Sequence, residues 1–237
     1  MFISEELLIT CAKEFDMDLS HEIVLKFDTY AKELVSYNEK VNLTAITEPD
    51  DIVIKHFADS LAFFKYSGIG KGNSVADVGT GAGFPGVPVL IAGDNLNVTL
   101  FDAVNKKLEF IRHLVNELGL KADIVHSRAE DAGKMPEYRE KFDFVTARAV
   151  AQLRILSEFC IPLVKVGGKF VSMKGSISEE EKVNGIAAFS KLGTQLYDDI
   201  IYNIHNGDER NIIIGKKISQ VSSKYPRNMG QISKKPL

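Results

Sequence analysis

The chain has 237 residues, 45% of them apolar and 26% charged, with a formal net charge of −3 and a sequence pI of about 6.0. That composition fits one sizeable core plus a small extra lobe. No stretch approaches the roughly 18–20 uninterrupted apolar residues of a membrane span. The opening MFISEELLITCAKEF lacks the basic and apolar regions of a signal peptide, and Cys11 and Cys160 make neither a metal-ligand spacing nor a disulfide framework. The expectation is a cytoplasmic protein with no metal site and no membrane partner.

The first element is helical, with Leu7, Leu8, Cys11 and Phe15 at helical spacing. After Ser20 a longer helix carries Ile23, Phe27, Tyr30, Leu34 and Tyr37 on one face. EPDD (48–51) starts another, running into IVIKHFADSLAFF, and YSGIGKGN (66–73) reads as a glycine-rich linker. The division is therefore an N-terminal helical extension, 1–66, followed by a second unit, 67–237. There, apolar runs of about six residues (SVADVG, NVTLFD, ADIVHS, FDFVTAR, GKFVSMKG) alternate with helical segments such as NKKLEFIRHLVNELG and VAQLRILSEFCIPLV. Such alternation predicts a parallel sheet covered on both faces. The chain ends differently: Asn206-Gly207 between TQLYDDIIYNIH and RNIIIGKKI predicts a tight reversal and an antiparallel final pair. A mostly parallel seven-stranded α/β sheet ending in such a hairpin is the Rossmann-like pattern of class I methyltransferases.

Charge is distributed unevenly. Residues 1–40 carry nine acids against four lysines, whereas 211–237 contain no acid but hold Lys216, Lys217, Lys224, Arg227, Lys234 and Lys235. A local basic surface can bind phosphates although the total is negative.

The stretch VADVGTGAGFPG (75–86) places Gly79, Gly81 and Gly83 directly after the first strand. Bare backbone there can turn sharply and approach a ligand at the carboxyl edge of the sheet. Asp77 beside the turn would repel a pyrophosphate but suits a cation, and Pro85 removes an amide that a phosphate site would use. Both features favour S-adenosylmethionine, which carries an ammonium and a sulfonium, over a dinucleotide. Asp102, ending VTLFD, can accept two ribose hydroxyls or serve as a helix N-cap. Glu130, in HSRAED, lies where an adenine edge would be read, or is a solvated helix-start acid.

Taken together, NEKVNLTAI (38–46), HFADSL (56–61), VADVGTGAGFPGVPVLI (75–91), DAVNKKLEFI (102–111), SRAED (127–131), TARAVA (146–151) and KYPRNMGQISKKPL (224–237) resemble the bacterial small-subunit ribosomal RNA methyltransferase G family, also called glucose-inhibited division protein B. The resemblance spans nearly the whole chain. It implies methyl transfer from S-adenosylmethionine to N7 of a guanine in the 530 loop of 16S rRNA. It also implies cofactor contacts at Gly79, Phe84, Ala129, Glu130 and Arg148. The alternatives are a class I methyltransferase acting on a small molecule or protein, and a non-catalytic RNA-binding module of the same fold.

Guanine N7 has an in-plane lone pair, so no general base is required, and positioning with desolvation carries the rate. The fourth strand ends in TARAVA rather than an NPPY-type motif, and neither cysteine sits in a context suited to covalent pyrimidine chemistry. Arg148 is expected to position substrate by facing RNA or a carboxylate; an ion pair with Asp143 or Asp77 is the competing assignment. Asn42, Thr44, His56, Asp59 and Ser60 are placed over the cofactor pocket or the RNA, or else form a polar cap on helix ends. His56 and Ser60 share a helix face at i, i+4. Lys174 is expected at a phosphate, and Arg227 in the acid-free tail at the RNA backbone. The partner implied is 16S rRNA or the small ribosomal subunit, and the state expected is a monomer.

Overall fold

The computed structural model describes residues 1–237. Helices α1 (Glu5–Glu14) and α2 (His21–Asn38) each begin on a serine, Ser4 and Ser20, whose side chain accepts a first-turn amide. A third segment starts at Pro49. It is helix α3 (Pro49–Ile52), then a π-helical turn (Val53–Ala58), then α4 (Asp59–Ser67), closed by Gly68 in the left-handed region.

From there the chain alternates: β1 (Ser74–Val78), α5 (Gly86–Ala92), β2 (Asn97–Asp102), α6 (Asn105–Glu117), β3 (Asp123–His126), α7 (Ala129–Ala132), β4 (Phe142–Arg148), α8 (Leu153–Cys160) and β5 (Val164–Lys174). It ends with α9 (Glu179–Lys191), β6 (Thr194–Asn203), β7 (Glu209–Lys217) and α10 (Met229–Lys234). One seven-stranded sheet has the order β3-β2-β1-β4-β5-β7-β6. All pairs are parallel except β5 with β7 and β6 with β7. The parallel sheet with a terminal antiparallel hairpin is thus as the sequence predicts. The reversal itself is longer than Asn-Gly suggests. Pairing stops at Asn203 and Glu209, and Gly207 takes φ +87° inside the intervening loop. Helix α9 was absent from the expectation, although Ser178 accepting from Glu181 N and three following acids mark its start.

Side chains alternate across the strands. Val75, Leu100, Ile212 and Ile214 face one layer, which also holds Phe27, Tyr30, Leu34, Phe57 and Phe63 of the N-terminal helices. Ala76, Phe101 and Ile213 face the other, with Leu156, Phe159, Phe189 and, from the tail, Tyr225 and Ile232. The helices of residues 1–66 therefore share a core with the sheet. The chain order reverses between β1 and β4, which makes their carboxyl ends the switch point where ligands of open α/β sheets sit.

The acid-free tail folds back. Arg139 donates to the carbonyls of Gly133, Val221, Ser222 and Tyr225. Lys217, buried, pairs with Glu140 at 2.7 Å. Arg227, expected at RNA, instead gives Nε and Nη2 to the two oxygens of Glu158 at 2.8 and 2.6 Å, and Nη1 to the Lys235 carbonyl. Glu158 is fully buried, so its charge requires this partner. The guanidinium locks the tail to α8, and the exposed cations of the tail are Lys216, Lys224, Lys234 and Lys235. Arg227→Ala leaves Glu158 buried and unpaired. It is expected to lower the urea unfolding free energy by roughly 3 kcal/mol, with Arg227→Lys recovering only part of the loss.

Candidate functional site

Two adjoining cavities open at the switch point, and they meet at Gly79, Asp102 and Val150. The larger, of about 740 Å³, runs from the glycine turn to the N-terminal helices. The amides of that turn face inward. Gly79 N and Thr80 N donate to the Phe101 carbonyl, Gly83 N and Phe84 N to the Thr80 carbonyl, and Gly81 N to Asp102 Oδ2 at 2.9 Å. Pro85 has no amide and Gly86 N donates to Asp77 Oδ2 at 2.9 Å, which leaves Ala82 N alone. A turn without a nest of free N–H groups cannot cradle a pyrophosphate. Asp77 reaches the same outcome by a different route from the one its charge suggested. It is completely buried beneath the turn, bonded to Thr80 Oγ1 and Gly86 N, and lines neither cavity.

The turn does leave bare backbone facing the cavity. Gly79 has φ +71°, and a Cβ on it would lie 2.8 Å from Val150 Cγ2, so that cradle is open only to glycine. Gly81, at φ +60°, also lines the cavity, whereas Gly83 serves packing: a Cβ there would strike Tyr30 Oη at 2.5 Å. The Tyr30 hydroxyl donates to the Ala82 carbonyl at 2.6 Å and fixes the turn from α2. Asp102 accepts from Gly81 N and Val104 N, one per oxygen, which holds its carboxylate at the seam of the two cavities. Ala129 and Glu130 line the smaller, more apolar cavity with Ala103, Phe159 and, from the returning tail, Met229. This apolar slot, carboxylate seam and bare glycine fit an adenine, a ribose and an amino-acid tail, so the residues present suit S-adenosylmethionine.

The far wall comes from the π-turn and the first residue of α4, which bring His56 and Asp59 to one guanidinium. Arg148 Nη1 donates to Asp59 Oδ2 at 2.7 Å and to the Lys55 carbonyl at 3.3 Å, and Nη2 donates to His56 Nδ1 at 3.3 Å. Asp59, 4% exposed, also accepts from Tyr202 Oη at 2.9 Å and faces Arg210 Nε at 3.5 Å. Arg148 thus pairs with Asp59 and not with Asp143 or Asp77, and Asp143 is held by Ser74 and Lys165. Phe84 lies between the rings of Tyr30 and His56, 5.2 and 4.3 Å away and near-parallel to both, with the guanidinium carbon 5.0 Å from its centroid. It is both core plug and cavity wall.

Of the remaining predicted residues, Thr44 joins this wall through His56 Nε2 at 2.9 Å. Lys174 lines the cavity with its ammonium on Glu181 and the Ala151 carbonyl. Ser60 is fully buried and bonds back to the His56 carbonyl, outside the cavity lining. Asn42 is exposed next to the cavity-lining Leu43 but does not itself line it, and Arg227 is absorbed by Glu158. Sequence reasoning missed Lys55, Lys107 and Arg210 at the cavity and Tyr30 and Tyr202 behind it. The π-turn brings in Lys55 and the folding-back of β6 and β7 brings in Tyr202 and Arg210, while Tyr30 and Lys107 come from α2 and α6. No group of three or more potential metal ligands occurs.

Two buried groups titrate in opposite senses. Burial pushes the Asp77 carboxyl up to about 6, against the pull of its hydrogen bonds. Burial, then the Arg148 charge, pushes the His56 imidazole down to about 3. Asp77 keeps in the fold a proton that the unfolded chain sheds, so its contribution to stability is lost as pH rises from about 4 to 6. His56 refuses a proton that the unfolded chain binds below about 6.5, so its contribution is lost as pH falls toward 3. Urea unfolding across this window should therefore separate them. Relative to the unaltered protein, Asp77→Asn is expected to gain stability with rising pH, and His56→Gln to lose it.

The family described as GidB, rRNA small subunit methyltransferase G, matches residues 23–212. Among curated relatives, the ribosomal RNA small subunit methyltransferase G of Clostridium botulinum (strain Alaska E43 / Type E3) is 44% identical over 98% of both chains. That of Leuconostoc mesenteroides is 42% identical over 99% of this chain and 100% of the relative. Among solved structures, a SAM-dependent methyltransferase from Aquifex aeolicus matches with a TM-score of 0.55 at 19% identity, covering 78% of this chain and 98% of that one, a likeness of fold. The match to the family over most of the chain, and to its relatives end to end, makes this protein a member of the rRNA small subunit methyltransferase G family.

Proposed function

We propose that the protein methylates N7 of a guanine in the 530 loop of 16S ribosomal RNA, acting in the cytoplasm as a monomer on the RNA or the small subunit. The observation that carries the reading is a cavity whose carboxylates and imidazole are already engaged. Asp59 holds Arg148, Tyr202 and Arg210; Asp102 holds two amides; and both His56 nitrogens are occupied. Each is therefore a poor general base. A nucleophile that presents a lone pair without deprotonation, as guanine N7 does, suits such a site, whereas an exocyclic amine or a ring carbon does not.

S-adenosylmethionine would supply an electrophilic methyl on a sulfonium. Gly79 and Gly81 would give it close backbone approach, Asp102 would accept its ribose hydroxyls, Ala129 and Glu130 would border its adenine, and Phe84 would close the methionine end. Asp59 neutralises Arg148, which removes a repulsion the sulfonium would otherwise meet. Residues 1–66 supply the RNA-facing wall and 67–237 the cofactor-facing one. Lys55, Lys107, Lys174 and Arg210 line the cavity; Lys107 has no ion-pair partner, and that cation favours a phosphate-bearing substrate over a small neutral one. No helix is long and apolar enough to cross a membrane.

Incubating the protein with methyl-labelled S-adenosylmethionine and unmodified small subunits or naked 16S rRNA, then mapping the modified base, tests the reading. The expected result is a single N7-methylguanine in the 530 loop. Label confined to protein or to small molecules would overturn it.

A further inference from the structure

We propose that Thr44 is the specificity-determining donor of this site, its hydroxyl proton reading O6 of the guanine whose N7 is methylated. The assignment rests on the guanine-N7 reading above and follows from where each proton in the wall must lie. A guanidinium can only donate, so His56 Nδ1, 3.3 Å from Arg148 Nη2, is an acceptor and carries no hydrogen. The Lys55 carbonyl beside that nitrogen accepts from Arg148 Nη1, so the guanidinium supplies the donors on this side of the ring. The ring proton therefore sits on Nε2 and is donated to Thr44 Oγ1 at 2.9 Å. Ile46 N donates to the same oxygen at 3.0 Å. With two donors on its two lone pairs, the hydroxyl has only its own hydrogen left to offer. Thr44 lines the large cavity with His56, Phe84 and Arg148, so that hydrogen is presented to whatever enters.

A single donor aimed beside the methyl-transfer wall discriminates purines. On the edge that carries N7, guanine offers the O6 acceptor, whereas adenine offers an N6 amino donor. A hydroxyl that cannot turn to accept would meet adenine donor against donor. Apart from the Thr80 hydroxyl, which is spent on Asp77, and the His56 ring proton, which is spent on Thr44, the other side-chain donors lining the cavity are cations. Arg148, Lys174 and Arg210 are engaged by Asp59, Glu181 and Asp208, and Lys55 by Asp51. Lys107, next to Asp102 across the cavity, has no ion-pair partner and suits a phosphate or carboxylate. Methylation leaves the guanine ring positively charged, so a neutral donor at O6 serves the product better than an ammonium. The arrangement also gives neutral His56 a defined role as a positioning residue: it fixes the direction of the Thr44 proton without touching substrate.

The test uses the full-length protein and small subunits reconstituted on rRNA with guanosine or 6-thioguanosine at the mapped target. Thr44→Val removes the donor and keeps the shape, and Thr44→Ser restores the donor. The expected outcome is a loss of roughly 10- to 30-fold in kcat/KM for Thr44→Val. S-adenosylmethionine affinity should stay within about twofold, and Thr44→Ser within about threefold of the unaltered protein. Sulfur at position 6 is a poor acceptor, so the thio substrate should slow the unaltered protein and leave Thr44→Val with little further loss. A merely structural Thr44 would give the same thio effect in both proteins, and that result overturns the assignment. So does a Thr44→Val protein that retains full kcat/KM. If the unaltered protein methylates no guanine N7 at all, the parent reading fails first and takes this assignment with it.

Discussion

The site depends on one buried ion pair. Arg148 comes from the carboxyl end of β4 and Asp59 from the first residue of α4, just after the π-turn, and they meet at 2.7 Å with 12% and 6% of their side chains exposed. Removing two charges from water is costly, and such a pair persists only when the remaining donors and acceptors are also satisfied. Here they are: Tyr202 and Arg210 reach the carboxylate from the terminal hairpin, while His56 and the Lys55 carbonyl take the other side of the guanidinium. Four separated segments thus converge on one carboxylate-guanidinium contact. It fixes the N-terminal helices over the cavity and orients the imidazole, and through the imidazole the Thr44 hydroxyl.

The same pair shapes the field of the cavity. An unpaired arginine beside the glycine turn would make the site attractive to anions and hostile to a sulfonium. Paired with Asp59 and stacked on Phe84, it becomes a flat, nearly neutral wall. The glycine turn complements this by turning its amides inward, so neither half of the site invites a diphosphate. Selection among nucleoside cofactors therefore rests on hydrogen bonds already made within the protein more than on the formal charge of Asp77.

Much of this was legible from residues alone. Strand-length apolar runs and helical periods fixed the sheet and its layers because both faces of the strands are buried. Gly79, Gly81, Asp102 and Glu130 were legible as cavity-lining residues because ligand sites of open sheets lie at strand ends, a local feature of sequence, whereas Ala129 came only with the family resemblance. What local pattern cannot carry is a partner from far along the chain. Asp59 reads as an ordinary helix acid until Arg148, 89 residues later, and Tyr202, 143 residues later, are folded against it. The π-turn gives no compositional sign, and the i, i+4 spacing of His56 and Ser60 did not reveal that Ser60 is buried away from the cavity that His56 and Asp59 line. Arg227 shows the reverse error. An acid-free tail looked free for RNA, but the acid that claims it, Glu158, lies in α8 and is invisible to a count of tail residues.

The central claim is that Asp59 holds Arg148 electrically silent beside the methyl donor. It is tested most directly by comparing affinities for S-adenosylmethionine, a sulfonium cation, and S-adenosylhomocysteine, its uncharged thioether counterpart, in the unaltered protein and in Asp59→Asn. Exposing the guanidinium charge should shift the ratio of the two dissociation constants against the sulfonium by about tenfold. A ratio unchanged by the substitution would contradict it.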